Sequence, residues 1–329
     1  PLDPGELGRW MSFSALVIVP LSLSGVNEEW RDRIGAAYCI TVVAASVFAL
    51  CTVALNARPG EWLVRGASNG IAQGRMPYDT SKTVAGGFYF HRLKFAHVAT
   101  IGALMLLVRQ LTVALSLRRR LLEGVGLLCI IAALFLTYVR ADILGLAVGV
   151  FALGLFASRR SRMALAALAV VAIVVGASIP TVRERIGTMF VAQTSSERSL
   201  IWAQAVRIIA DHPFGAGIGN YSKIVGAYYD LEDATFPTRT YGHNLWLTTW
   251  AETGPLGVMG LLGGFIVLAW RARERLPSAY ALALISTIAC LLTIGMTHDI
   301  FYDPPVSLSA SSVIGYCATR LFTAPKVES

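Results

Sequence analysis

The sequence predicts an all-α polytopic membrane protein, a multi-helix transmembrane bundle with a helical loop domain. Of its 329 residues, 55% are hydrophobic and only 15% are charged, whereas soluble domains carry about 25% charged residues. Apolar runs of roughly 17–23 residues, a length that crosses a bilayer, recur along the chain. Arginine clusters separate several of these runs, as expected for loops on the cytoplasmic side.

About nine apolar runs qualify as membrane spans by length. They occupy residues 11–26, 34–56, 95–117, 121–139, 143–157, 163–179, 254–270, 279–296 and 306–322. We therefore predict three regions. Transmembrane helices fill 1–180 with a periplasmic loop at about 57–94, a large periplasmic loop covers 181–252, and C-terminal transmembrane helices cover 253–329.

The arginine clusters at 118–120, 159–162 and 271–275 alternate with the two long polar segments. The positive-inside rule then places the clusters in the cytoplasm and both long loops outside. Counting spans backwards puts residue 1 outside as well. Since the sequence begins without Met and without a signal peptide, we expect an odd number of spans upstream.

The net charge of +8 is explained by these loop arginines, and no basic face interleaved with aromatic residues predicts nucleic-acid binding. The five cysteines all lie in apolar segments, and none forms a CxxC pair. We read them as small hydrophobic residues rather than as disulfides or a zinc site. Asp230 and Glu232 form a weak acidic pair, so no metal is expected.

The large polar loop contains readable elements. Thr194 and Glu197 fit a capping box, which predicts a helix beginning near Ser195. His212-Pro213 and a glycine-rich turn end this helix. A second helix follows His243 and carries Trp residues that suit the membrane boundary. The glycine turn lacks the GK[ST] of a phosphate-binding loop and follows no Rossmann strand, so it is read as a turn or hinge.

Three polar side chains stand out as candidates for chemistry. Arg140 lies between two apolar runs. Its side chain either extends to the membrane interface or pairs with Asp142, or it binds an anion through its planar set of N–H donors. Arg198 is predicted to lie in the first turn of the loop helix. It is either a solvated residue or, together with the exposed N–H groups at the positive end of the helix, part of an anion site. His243 is either a helix cap or a general base, and four other histidines compete for that role.

Longer-range motifs add a resemblance. The pattern R-x3-W-x10-P-x-G-x-G is followed by HN and by E-x-G-x-x-G, at Arg198, Trp202, Pro213, Gly215, Gly217, His243, Asn244, Glu252, Gly254 and Gly257. This arrangement resembles the O-antigen ligase/polymerase superfamily, and most of all the bacterial lipopolysaccharide O-antigen ligases. The segment from Phe88 to Ala99 and the turn at Arg140 fit the same layout, so the likeness covers about Phe88 to the C-terminus.

The resemblance implies a GT-C-like, metal-independent, inverting glycosyltransferase without cofactors in the bacterial inner (cytoplasmic) membrane. Such an enzyme takes a glycan from undecaprenyl diphosphate at the periplasmic face and joins it to a sugar hydroxyl of lipid A–core. The family's two essential arginines map to Arg140 and Arg198, and its essential histidine maps to His243. The expected partners are the lipid-linked O-antigen, lipid A–core and membrane lipids, with the oligomeric state left open.

The chemistry agrees with that implication. Two arginines can stabilise the charge on a departing diphosphate, and a histidine can deprotonate the acceptor hydroxyl. Further side chains are predicted to contact the diphosphate or the acceptor: His91, Arg92, Lys94, Arg183, Arg239, Tyr241 and Asn244.

Two alternatives remain open at this stage. An O-antigen polymerase or a protein O-oligosaccharyltransferase would use the same donor with another acceptor, and nothing in the sequence separates these firmly from a ligase. A transporter of lipid-linked glycans would place charges at mid-membrane and show inverted repeats. The sequence shows no such repeat.

Overall fold

A computed structural model of the chain describes residues 4–57, 75–76, 79–89, 91–178, 193–228 and 242–323. The helices are α1 Pro4–Ser24, α2 Glu28–Ala54, α3 Arg92–Thr112, α4 Leu117–Phe135, α5 Arg140–Phe156, α6 Arg159–Ser178, α7 Gln193–Asp211, α8 Tyr221–Ile224, α9 Leu245–Arg273, α10 Ala279–Gly295 and α11 Pro304–Thr323. The strands β1 Arg75–Met76 and β2 Asp79–Thr83 form a small antiparallel hairpin. The predicted all-α membrane fold is confirmed.

Each of the nine apolar runs coincides with one long helix, α1 to α6 or α9 to α11. Within the described part of the chain, α2, α3 and α9 are long and apolar enough to cross a membrane by length and composition. Large apolar side chains such as Leu128, Phe151 and Met259 point outwards and are more than half exposed. Exposed apolar surface of this extent suits contact with lipid.

Helix α3 is the centre of the bundle. Its side chains from Phe95 to Val108 are buried, and it packs against α2, α4, α5, α10 and α11. A helix that is apolar on all sides is expected in such an interior position. Any polar group on α3 within this stretch therefore lies deep in the protein.

Helices α5 and α10 approach each other closely because α5 carries glycines four residues apart. A Cβ placed on Gly145 would lie 2.6 Å from Cγ1 of Ile294, and one on Gly149 would lie 3.0 Å from the carbonyl oxygen of Ser286. Small residues at this spacing let helices in a membrane pack backbone to backbone. This contact brings the start of α5 beside the connection that follows α10.

The large loop packs through α7 onto the first half of α9. A small apolar cluster joins them: Ala205, Ile208, Tyr221, Val225 and Ala251. The helix predicted to begin near Ser195 begins at Gln193, so Arg198 lies in the second helical turn and not in the first. The helix dipole therefore contributes less at Arg198 than predicted, because its field fades within the first turn.

Candidate active site

Arg140 is the first residue of α5 and follows a tight turn from α4. Tyr138 adopts a left-handed backbone, with φ of 64°. The hydroxyl of Thr137 donates to the carbonyl oxygen of Leu134 at 2.7 Å and accepts from the Val139 N–H at 3.1 Å. The run Thr137-Tyr138-Val139 therefore fixes the direction in which α5 leaves the turn, and with it the position of Arg140.

Arg198 on α7 lies close to Arg140. Burial, and then the positive charge of Arg140, lower the pKa of the Arg198 guanidinium. Two like charges in a desolvated place repel one another, since the Coulomb energy grows as the surroundings exclude water. The pair is therefore suited to an anion that bridges both groups, such as a phosphate.

His243 lies in a strained turn immediately before α9. Its φ is 46°, a left-handed conformation that is uncommon outside glycine. The carboxylate of Asp299 accepts hydrogen bonds from the backbone N–H of His243, from the Asn244 N–H at 3.2 Å and from the Thr248 hydroxyl at 2.7 Å. Asp299 thus holds the turn that presents the imidazole.

Asn244 supports the same turn with its side chain. Its Oδ1 accepts from the N–H groups of Trp246 and Leu247 at 3.0 and 3.2 Å and so caps α9. Its Nδ2 donates to the carbonyl oxygen of Met296 at 3.1 Å. The amide predicted to contact substrate is engaged in hydrogen bonds within the protein.

Three more histidines gather around His243. Burial lowers the pKa of His298 well below its usual value, and His97, Arg198, His243 and His91 lower it further. His91 caps α3, accepting from the Leu93 N–H at 3.2 Å. Burial lowers its pKa to about 4, with further lowering by Lys94, Arg92, His97 and His243.

Of the predicted residues, Arg198, His243 and His91 therefore surround His298. Arg140 lies beside Arg198 and Arg92 beside His91, so these residues share one end of the bundle. Lys94 lies at the same end and forms a salt bridge with Asp303 at 2.8 Å. Arg183, Arg239 and Tyr241 fall outside the described residues. In the ranges that are described, no group of three or more His, Cys, Asp or Glu side chains is arranged to hold a metal ion.

Sequence reasoning did not assign His97, Asp142 and His298 to the site. Nδ1 of His97 lies 2.8 Å from Oδ1 of Asp142, and both side chains are buried. The rings of His97 and His298 have centroids 5.2 Å apart. One signal for Asp142 was available, since a carboxylate that interrupts two apolar runs is a functional candidate by default.

The glycine-rich turn is scaffolding for the site. Pro255 has no N–H, so the helical hydrogen bond to the carbonyl of Ala251 cannot form. That oxygen accepts from the Ala216 N–H at 2.8 Å, and the Glu252 carbonyl accepts from the Gly217 N–H at 2.9 Å. The turn thus satisfies the carbonyls exposed where α9 kinks at Gly254, which ties the two glycine motifs together in the structure.

A comparison with known protein families finds a match. Residues 125–262 match the family model described as O-antigen ligase, a region that contains Arg140, Arg198 and His243. No curated protein sequence matches the chain. Residues 125–262 therefore carry an O-antigen ligase family domain, which supports the resemblance to the O-antigen ligase/polymerase superfamily.

Proposed function

We propose that this protein is an O-antigen ligase that transfers a glycan from undecaprenyl diphosphate to a sugar hydroxyl of lipid A–core at the periplasmic face of the bacterial inner membrane. The observation that carries the proposal is the meeting of two guanidiniums, Arg140 and the partly buried Arg198, beside a histidine cluster that includes His243. A diphosphate and a hydroxyl are the two groups that such a site is equipped to handle.

The arginines stabilise the leaving group. As the bond between the sugar and the diphosphate breaks, negative charge grows on the bridging oxygen. Preorganised donors in a desolvated site oppose that charge, and removal of one such donor costs on the order of 10²–10³ in rate. A guanidinium suits this task better than an ammonium because its planar fork binds two phosphate oxygens at once. In this proposal the arginines act without a metal ion or other cofactor.

His243 acts as the general base. It removes the proton from the acceptor hydroxyl, whose oxygen attacks the anomeric carbon from the face opposite the diphosphate. This single displacement inverts the configuration at that carbon. General-base catalysis typically contributes about 10²–10⁴ in rate.

The test is transfer in vitro from a glycan on a lipid diphosphate to purified lipid A–core, with and without a chelator. We expect chelation to leave the rate unchanged, and His243→Ala, Arg140→Lys and Arg198→Lys each to lower it by at least about 10²-fold. His212→Gln is the matched control. His212 follows the last residue of α7 and does not contribute to the lowered pKa of His298 or of His91.

A different experimental result would contradict each part of the proposal. Loss of transfer on chelation would overturn the metal-independent mechanism. Full activity of His243→Ala would overturn the assignment of the base. Transfer to a second lipid-linked glycan or to a protein, with lipid A–core left unmodified, would replace the ligase by a polymerase or a protein glycosyltransferase with the same donor chemistry.

A further inference from the structure

A line of titratable groups leads from the candidate base into the core of the bundle. His298 follows α10 and is only 7% exposed. It interacts with His243 on one side, and its ring lies 5.2 Å from that of His97. His97 in turn contacts Asp142 at 2.8 Å. These residues come from different elements, namely α3, α5, the connection after α10 and the turn before α9.

The end of this line is costly as a purely structural feature. Asp142 is fully buried, and its Oδ1 contacts His97 and, at 3.4 Å, the hydroxyl of Thr100. Among the described residues its Oδ2 has no hydrogen-bond partner. A buried carboxylate is costly unless it is paired and hydrogen-bonded, and a buried acceptor without a partner costs about 1–3 kcal/mol. A group this costly inside an apolar bundle points to a function.

We propose that the His97–Asp142 pair is the proton acceptor behind the catalytic base, and that His298 carries to it the proton that His243 takes from the acceptor hydroxyl. The inference rests on the proposed function, since it needs a reaction that releases a proton at His243. His97 and His298 are positioning and proton-carrying residues in this scheme and do not touch the sugar.

The proposed step conserves the proton and both electron pairs. The O–H bond of the acceptor breaks, and its electron pair forms the new bond to the anomeric carbon. The bond from that carbon to the diphosphate oxygen breaks, and its electron pair stays on the diphosphate. The proton passes from His243 to His298 and then to His97, which becomes an imidazolium beside the Asp142 carboxylate. It leaves to the diphosphate product or to water when the site empties.

The surroundings of each group fit this direction of transfer. His298 is faced by His97 and His91 at the start of α3, by Arg198 from α7 and by His243. Burial and the positive charge of Arg198 disfavour a proton that remains on His298, so His298 can pass one on. His97 directs Nδ1 to Asp142, which leaves Nε2 for His298.

At the inner end of the line, the His97–Asp142 pair can hold the proton. Asp142 is faced by His97 and by the thiol of Cys290 on α10. Its carboxylate, 2.8 Å from the His97 ring, offsets the positive charge of the imidazolium that forms when the proton arrives. The gap between the two histidine rings is of the size that one water or a small ring rotation spans.

The test uses the full-length protein and the transfer assay described above, with kcat measured from pH 5 to pH 9. Asp142→Asn is expected to lower kcat by about 10²-fold at pH 7 with little change in the donor KM. The loss should shrink as the pH rises, because hydroxide and buffer bases then take the proton. His298→Gly is expected to show a similar loss that added imidazole partly restores.

Thr287→Val on α10 is the matched control, since it also changes a buried polar group in this bundle. It should leave kcat and the pH profile unchanged. If Asp142→Asn does not fold, His298→Gly alone decides. A wild-type kcat per folded molecule in these variants, or a uniform loss without pH dependence or imidazole rescue, would overturn the inference. Absence of transfer by the wild-type protein would instead refute the proposed function.

Discussion

Replacement of Gly254 by alanine should destabilise the loop domain strongly. Gly254 has φ of 69° and ψ of −169°, a region that is essentially restricted to glycine and costs other residues about 1–3 kcal/mol. The added Cβ would also lie 2.5 Å from the carbonyl oxygen of Phe214, so the turn must shift. Overpacking of this kind costs a further ~1–3 kcal/mol, which gives about 2–6 kcal/mol in total.

The assay is thermal unfolding in detergent together with glycan transfer. Gly260→Ala is the control on the same helix, because a Cβ there meets nothing within 4 Å. Gly215→Ala should reproduce the defect from the other side, since φ is 93° and its Cβ would lie 2.6 Å from the Glu252 carbonyl oxygen. If Gly254→Ala melted and transferred glycan like Gly260→Ala, the assigned role of the kink would be wrong.

Three further outcomes are expected in thermal unfolding. Asn244→Ala should cost about 1 kcal/mol for the lost helix cap, and a larger loss of activity than of stability would show that the turn also positions His243. The pKa of His91 falls to about 4 in the folded protein, below its unfolded value near 6.5. Stability should therefore be full above pH 6.5 and decrease as the pH falls from 6.5 to about 4, and His91→Gln should flatten that decrease. Gly149→Leu should overpack α5 against α10 and cost at least ~1–3 kcal/mol, whereas Gly124→Leu, where a Cβ meets nothing within 4 Å, should be tolerated.

The helices were predictable from the sequence because a bilayer sets their length. Each apolar run needed only enough residues to cross, and each coincides with a helix. The proximity of Arg140 and Arg198 could be expected from the family motifs and from the prediction that both lie on the same side of the membrane. Helix ends were less certain, as the start of α7 at Gln193 illustrates, because local capping signals compete over a few residues.

The histidine line could not be predicted in the same way. Whether His97 faces Asp142 depends on how α3 and α5 are rotated about their axes, and both helices are too uniformly apolar for a hydrophobic stripe to fix that rotation. The partnership between Pro255 and the glycine turn was hidden for a different reason. The free carbonyl of Ala251 follows from the sequence, but its donor, Ala216, lies far away along the chain.

The close packing of α5 on α10 has a consequence for how the site tolerates change. Gly145 and Gly149 leave no room for a side chain between these helices, so Arg140 and His298 belong to one rigid half of the site. Arg198 and His243 belong to the other half, built from α7 and α9, which meet at the glycine turn. Hydrogen bonds from Asn244 to Asp299 and Met296 also tie the His243 turn to the first half. Each half contributes one arginine and one histidine. A substitution far from the substrate, at either fastening, would therefore displace a charge and a proton carrier together.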